Sequence, residues 1–153
     1  MSVLLPLNAL RNGRLGQKVE QPAKTLPQST AGALFTVSGG RVAITQIIGE
    51  VTTAIQNQAN NTKLTSAPTT GTAVDLCAVL SIANKEVGCL FGISGLNSDA
   101  MIGVNAGLVP GQVRDVIVPI GSINLDCAAS NTGAIKWTLF YIPIDDGASV
   151  TAA

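Results

Sequence analysis

The sequence predicts an all-β protein: an antiparallel β-sandwich or jelly-roll-like domain over residues 32–153, with an extended N-terminal arm over residues 1–31. Three observations predict it. From residue 32 onward, apolar side chains recur with a period of two in short runs, at intervals of about 8–12 residues. Gly, Asn and Pro punctuate those runs where the chain must turn. No stretch sustains the 3.6-residue period of an amphipathic helix. With 153 residues the chain makes one domain, on a scale of ~100–200 residues per domain, and about two-thirds of its unfolded surface can be buried.

Residues 1–31 hold Pro6, Gly13, Gly16, Pro22 and Pro27 and follow no period, which reads as an arm draped over another chain and pinned by an apolar tip at Val3, Leu4, Leu5 and Leu7. Strand character begins at Gly32–Ser38, turns at Gly39-Gly40, and resumes at Arg41–Gly49 and again at Glu50–Asn57. Residues 54–64 admit a helix, but the β-branched run before them and their asparagines argue against it. Asn60-Asn61 turns into a strand at Thr62–Ser66, and Pro68-Thr69-Thr70-Gly71 is a loop. The cleanest alternation follows, with Val74, Leu76, Ala78, Leu80 and Ile82 on one face. Shorter runs lie at Val87–Ser94, Ala100–Val104, Val113–Val118 and Ser122–Cys127.

The last run, Ala134–Ile144, carries three of the five aromatic residues. Ile135, Trp137, Leu139 and Tyr141 share one face, which places Trp137 in the core. The other face starts polar at Lys136 and Thr138 and ends apolar at Phe140 and Ile142. A strand that becomes apolar on both faces is covered on its second side, by a partner subunit or by the arm.

Composition narrows the function. Charged residues are 12% of the chain, half the ~25% of a typical soluble domain, so the surface is poorly protected against association. Mean hydropathy is +0.41, which excludes disorder. There is no histidine, which removes His-based acid–base catalysis and His-ligated metals. Net charge is zero, yet residues 1–34 carry Arg11, Arg14, Lys18 and Lys24 against Glu20 alone. That is too thin for nucleic-acid binding and fits an arm seeking an acidic neighbour. Cys77, Cys89 and Cys127 have neither disulfide nor zinc spacing and read as buried hydrophobes. No secretory signal and no membrane-spanning run are expected, so folding in a reducing cytoplasm is.

No constellation for catalysis emerges, and the expectation is a non-enzyme without metal or cofactor. Asp145-Asp146-Gly147 lacks the alternating ligands of a calcium loop and reads as a polar turn or subunit contact. Gly92-Ile93-Ser94-Gly95 misses the nucleophile-elbow spacing and has no base to activate the serine. Asn60-Asn61-Thr62 matches a glycosylation sequon but lacks the secretory context it needs.

The strings Thr36-Val37-Ser38-Gly39-Gly40-Arg41-Val42 and Gly49-Glu50-Val51-Thr52-Thr53-Ala54-Ile55-Gln56 resemble those of small tailed-phage virion proteins. So do the segment from Asn131 to Leu139 and the ending Ile144-Asp145-Asp146-Gly147-Ala148-Ser149-Val150. The resemblance spans about residues 32–150, leaving the arm outside it. It implies a capsid decoration (cement) protein: a β-sandwich homotrimer seated on the major capsid protein of the same phage, on the virion surface, after assembly in the host cytoplasm. Neither nucleic acid nor membrane is an implied partner. The candidate subunit or capsid contacts are Leu4, Leu5, Leu7, Arg11, Arg14, Phe140 and Ile142. The alternative is a tail-associated or receptor-binding module that recognises host surface glycans.

Overall fold

The structure is a computed structural model and describes residues 6–153. A short helix, α1 (Leu7–Leu15), precedes strands β1 (Gln17–Thr25), β2 (Ala31–Ser38), β3 (Val42–Thr53), β4 (Asn61–Pro68), β5 (Val74–Asp75) and β6 (Leu80–Ser81). Then come β7 (Leu90–Gly92), β8 (Ile102–Val104), β9 (Val116–Val118), β10 (Gly121–Cys127), β11 (Ala134–Pro143) and β12 (Ser149–Ala152). Sheet A runs β1-β11-β3-β7-β8, with β9 also paired to β3, and sheet B runs β12-β2-β10-β4 with both β5 and β6 against β4. All strand pairs are antiparallel, and the two sheets pack face to face as an all-β sandwich.

The sheets enclose one core, and its largest side chains form an ordered row. Trp137 on β11 faces Gly49 on β3, Gly49 faces Phe91 on β7, and Phe91 faces Gly103 on β8. Large and small residues thus alternate across four neighbouring strands. A Cβ at Gly49 would lie 2.8 Å from the Trp137 ring, and one at Gly103 would lie 2.6 Å from Phe91. The two rings are stacked, with centroids 6.4 Å apart and 23° between planes. Trp137 is only 1% exposed, so the alternation read along its strand gives its facing correctly.

Most long strands cross to the opposite sheet at their ends, and polar groups fasten those crossings. At one end, residues 26–30, 54–60 and 128–133 meet around buried Asn60 and Asn131. Asn60 Nδ2 donates to Asn131 Oδ1 (3.2 Å) and Ala129 O (3.1 Å), while Asn131 Nδ2 donates to Gln58 O (2.8 Å) and Gln56 O (3.2 Å). At the other end, Arg41 after the Gly39-Gly40 turn grips Asp145. Its Nη2 and Nε lie 2.7 and 2.9 Å from the two carboxylate oxygens, and its backbone N–H donates to Oδ2 at 2.8 Å. Asp145-Asp146-Gly147 is therefore a polar turn between β11 and β12.

Four sequence expectations are corrected. The span 1–31 is not an arm without elements: residues 7–15 are helical, and residues 17–25 form β1, an edge strand of sheet A. Pro22 fits there because the register slips between Gln21 and Lys24, at a sheet edge where a missing N–H is tolerated. Gln21 points inward and is satisfied by donating to Ala153 O at 2.8 Å. The domain boundary at residue 32 consequently falls inside the sandwich.

The clean alternation over 74–82 does not make one strand. Leu76 N still donates to Leu64 O of β4 at 2.8 Å, but the backbone of residues 77–79 leaves that strand before β6; Ala78 bridges Ala100, and Cys77 Sγ accepts from Leu64 N at 3.3 Å. The two runs 41–49 and 50–57 are joined in the single twelve-residue β3, because Gly49 serves as the seat of Trp137 and not as a turn. The short strand β12 was not foreseen; it pairs with β2 from Ser149 to Ala152.

Trp137→Ala is expected to cost about 3–5 kcal/mol, and Gly49→Ala about 1–3 kcal/mol through overpacking. In a double-mutant cycle by urea melting, Gly49→Ala should cost less once Trp137 is leucine, since the ring it strikes is gone.

Arg41 holds the Asp145 carboxyl well below the usual carboxylate range, chiefly through its side-chain hydrogen bonds. A depressed folded-state pKa gives stability that is complete above the unfolded value of about 3.9 and fades as pH falls through the lower folded value. The difference in urea midpoint between wild type and Asp145→Asn should be flat from pH 5 to 8 and shrink below ~4. Added salt should reduce it, because the pair is exposed.

Candidate interaction surface

The two outer faces of the sandwich differ in chemistry, and the strand registers show it row by row. On sheet B, Thr151, Thr36 and Ser122 lie side by side, followed by Asn124 beside Thr65 and Asp126 beside Lys63. Ala67, Ala33 and Ala31 complete those rows, so the face is built of polar and small side chains. On sheet A, Ile142, Ala43 and Ile117 form one outward row. Lys18, Phe140 and Gln46 form the next, and Leu90 and Val104 continue a row that begins at Lys136 and Glu50.

Two further segments lie on that side. The loop 105–115 crosses sheet A with Val109 over Gly92 and the Gln112 N–H donating to Gln46 Oε1 at 2.7 Å. It leaves Leu108 and Val113 exposed, the latter by 77%. Helix α1 lies against β1 and β11, and the hydroxyl of Thr45 donates to Leu15 O at its C-terminal end. Gly16 ends the helix at φ +85°, and a Cβ there would fall 2.1 Å from Tyr141 O. Only glycine lets the helix pass directly into β1 at this spacing.

The structure brings part of the candidate set together. Leu7, Arg11 and Arg14 lie on α1 and are exposed, Leu7 by 85%. Phe140 and Ile142 are on the outer face of β11, where the C-terminal turn of α1 rests. Phe140 is 8% exposed and stands outside the core cluster, whereas Ile142 is 43% exposed and reaches Gly16. Leu4 and Leu5 lie outside the described residues. Sequence reading missed Leu10, Leu108, Val113 and Ile117. Ile117 had a signal, the alternation of Val116-Ile117-Val118; the loop residues had none.

Charge on this side comes from Lys18, Glu20, Lys136 and Glu50. Glu20 lies 3.7 Å from Lys136 and also pairs with Lys18, whose hydrogen bond lowers the Glu20 pKa. Among the described residues, neither Arg11 nor Arg14 pairs with a carboxylate. Ser94 Oγ donates to Asp99 Oδ2 at 2.7 Å and accepts from Leu96 N at 3.1 Å, a turn that closes on itself. All three thiols are buried, and burial pushes their pKa values up. Among the described residues, no helix is long and apolar enough to cross a membrane.

The fold and surface thus define a β-sandwich whose sheet A exterior carries an exposed apolar row, Ile142 and Ile117, beside rows that mix charged and apolar side chains. Compared with protein-family models, curated proteins and solved structures, the chain matches none.

A chain starting at Gly16 should keep the cooperative melt of the full protein, since α1 buries no side chain of its own. A chain starting at Gly32 should lose it, because the missing β1 strips the edge of β11 and takes away the Gln21 donor to Ala153 O. Circular dichroism melts of both truncations check this.

Proposed function

We propose that this chain is a structural protein of a tailed-phage virion. In this reading it decorates and cements the capsid shell as a trimer, with the major capsid protein as its partner. The observation that carries the reading is the exposed apolar row of Ile142 and Ile117 on sheet A, together with exposed Leu108 and Val113, on a chain with 12% charged residues. Side chains such as Ile117 and Ile142 contribute ~1.5–3 kcal/mol each when fully buried. Ring-like assembly multiplies such contacts without any single one being strong. Binding energy toward the assembled shell then becomes shell stability by linkage, since only the closed lattice offers the site. The sequence resemblance to phage decoration proteins supports the same reading.

The glycan-binding alternative has less support. All five aromatic side chains are buried, so no ring is free to stack on a sugar.

The test is sedimentation of purified protein with tail-less heads that lack it, together with antibody labelling of intact virions. Label on heads and a raised temperature of head rupture are expected. Ile117→Asp and Ile142→Asp should weaken head binding at least tenfold, whereas Thr36→Asp on the outer face of sheet B should not. Label confined to tails, or equal sensitivity of the two faces, would overturn the reading.

A further inference from the structure

Helix α1 is weakly held. It has nine residues, no side-chain N-cap and no buried side chain, and Gly13 in its interior weakens it further. Isolated helices shorter than about 12–15 residues are marginal in water, so α1 opens without disturbing the sandwich. Its fastenings are at its C-terminal end. The Thr45 hydroxyl donates to Leu15 O, and Gly16 N closes the last turn by donating to Asn12 O at 2.9 Å.

Asn12-Gly13 is the one Asn-Gly step in the sequence, and it lies in this helix. Both residues are exposed, and nothing lies within 4 Å of where a Cβ at Gly13 would stand. An asparagine before glycine is chemically poised, because the glycine nitrogen reaches the asparagine Cγ with no side chain in its way. Asn12 has a second feature. Nε and Nη2 of Arg11 both donate to its Oδ1, at 3.2 and 3.1 Å. Those donors draw electrons from Cγ and face the oxygen on which charge develops when Cγ is attacked. The buried Asn60 and Asn131 are placed differently: their amides are locked by backbone carbonyls, and Asn61 and Thr132 follow them.

We propose that Asn12 is a self-modification site, converted to isoaspartate with water as the co-reactant, and that this conversion unfastens α1 from the sandwich. When the helix opens, the Gly13 nitrogen bonds to Cγ and gives its proton to hydroxide. Oδ1 carries the charge beside Arg11, and Nδ2 takes a proton from solvent and leaves as ammonia. The five-membered succinimide then takes up water. Opening at the former side-chain carbonyl gives aspartate; opening at the former main-chain carbonyl gives isoaspartate. In isoaspartate the chain runs through Cβ and Cγ, and the carbonyl that accepted from Gly16 becomes a free carboxylate off the main chain. The last turn of α1 loses its closing bond, and the new negative charge opposes the helix dipole there. Strand β1 begins at Gln17, beyond the altered residue, so the sandwich keeps its pairing. The inference does not rest on the virion reading above.

The test is incubation of the full chain in warm, mildly alkaline buffer, followed by intact mass and peptide mapping. The mass change of an NH2 replaced by OH should appear at Asn12, with isoaspartate exceeding aspartate and a rate that climbs with pH. Gly13→Ala should slow it at least tenfold, and Arg11→Met, which keeps the length but not the donors, at least twofold. Asn12→Gln, which would need a six-membered ring, should keep its mass. Basic and acidic residues balance in the parent chain, so the product carries a net negative charge and separates by anion exchange. Trypsin should cut that product after Arg14 at least fivefold faster than the parent, while both melt at the same temperature. An unchanged Asn12, the same rate in Arg11→Met, or equal cleavage of parent and product would overturn the inference.

Discussion

Four residues in one row set the geometry of sheet A: Trp137, Gly49, Phe91 and Gly103, on four adjacent strands. Each ring lies over a residue that has no side chain, so the sheet admits two large aromatics without parting from sheet B. Register is thereby specified. Sliding β11 by one residue would turn Trp137 outward and drive Thr138 or Lys136 into the core, and no other glycine of β3 could receive the ring. In a chain with 3% aromatic residues, this row concentrates the shape information that a richer core would spread widely.

The crossings follow from the same frame. Once β3 and β11 are paired, their ends dictate where the chain must leave sheet A. Both ends are fastened by side chains, without a hairpin turn. The two fastenings differ in kind. Asn60 and Asn131 are buried and their amide groups are taken up among backbone carbonyls and each other, so removing one strands the partner in a dry site. Arg41 and Asp145 are exposed and add orientation more than energy.

Much of this was legible in the sequence, and the failures have physical causes. The facing of β11 could be read because its inward residues are uniformly apolar and its outward ones begin polar. The run over 74–82 misled because its alternation is real, while its middle residues detach from β4 to bridge Ala100; periodicity records which side is buried, not which strand is the neighbour. Gly49 looked like a strand terminator, since a sequence cannot show that a glycine is a seat for a ring on another strand. Of the candidate surface, Phe140 and Ile142 were visible through their strand, and Leu7, Arg11 and Arg14 through composition. Leu108 and Val113 became part of it only through the path of an irregular loop.

Strand β1 escaped notice because its sequence, Gln-Lys-Val-Glu-Gln-Pro-Ala-Lys-Thr, is nearly all polar. Its position in the chain gives that polarity a use. Gln17 bonds to Tyr141, 124 residues later, so β1 leaves the ribosome long before its partner exists. At about 5–20 residues per second, the interval is roughly 6–25 s. An apolar strand of this length would spend that time as an adhesive edge among other nascent chains. Lys18, Glu20, Pro22 and Lys24 keep it solvated until β11 has emerged, and only then does the earliest strand of the sandwich take its place.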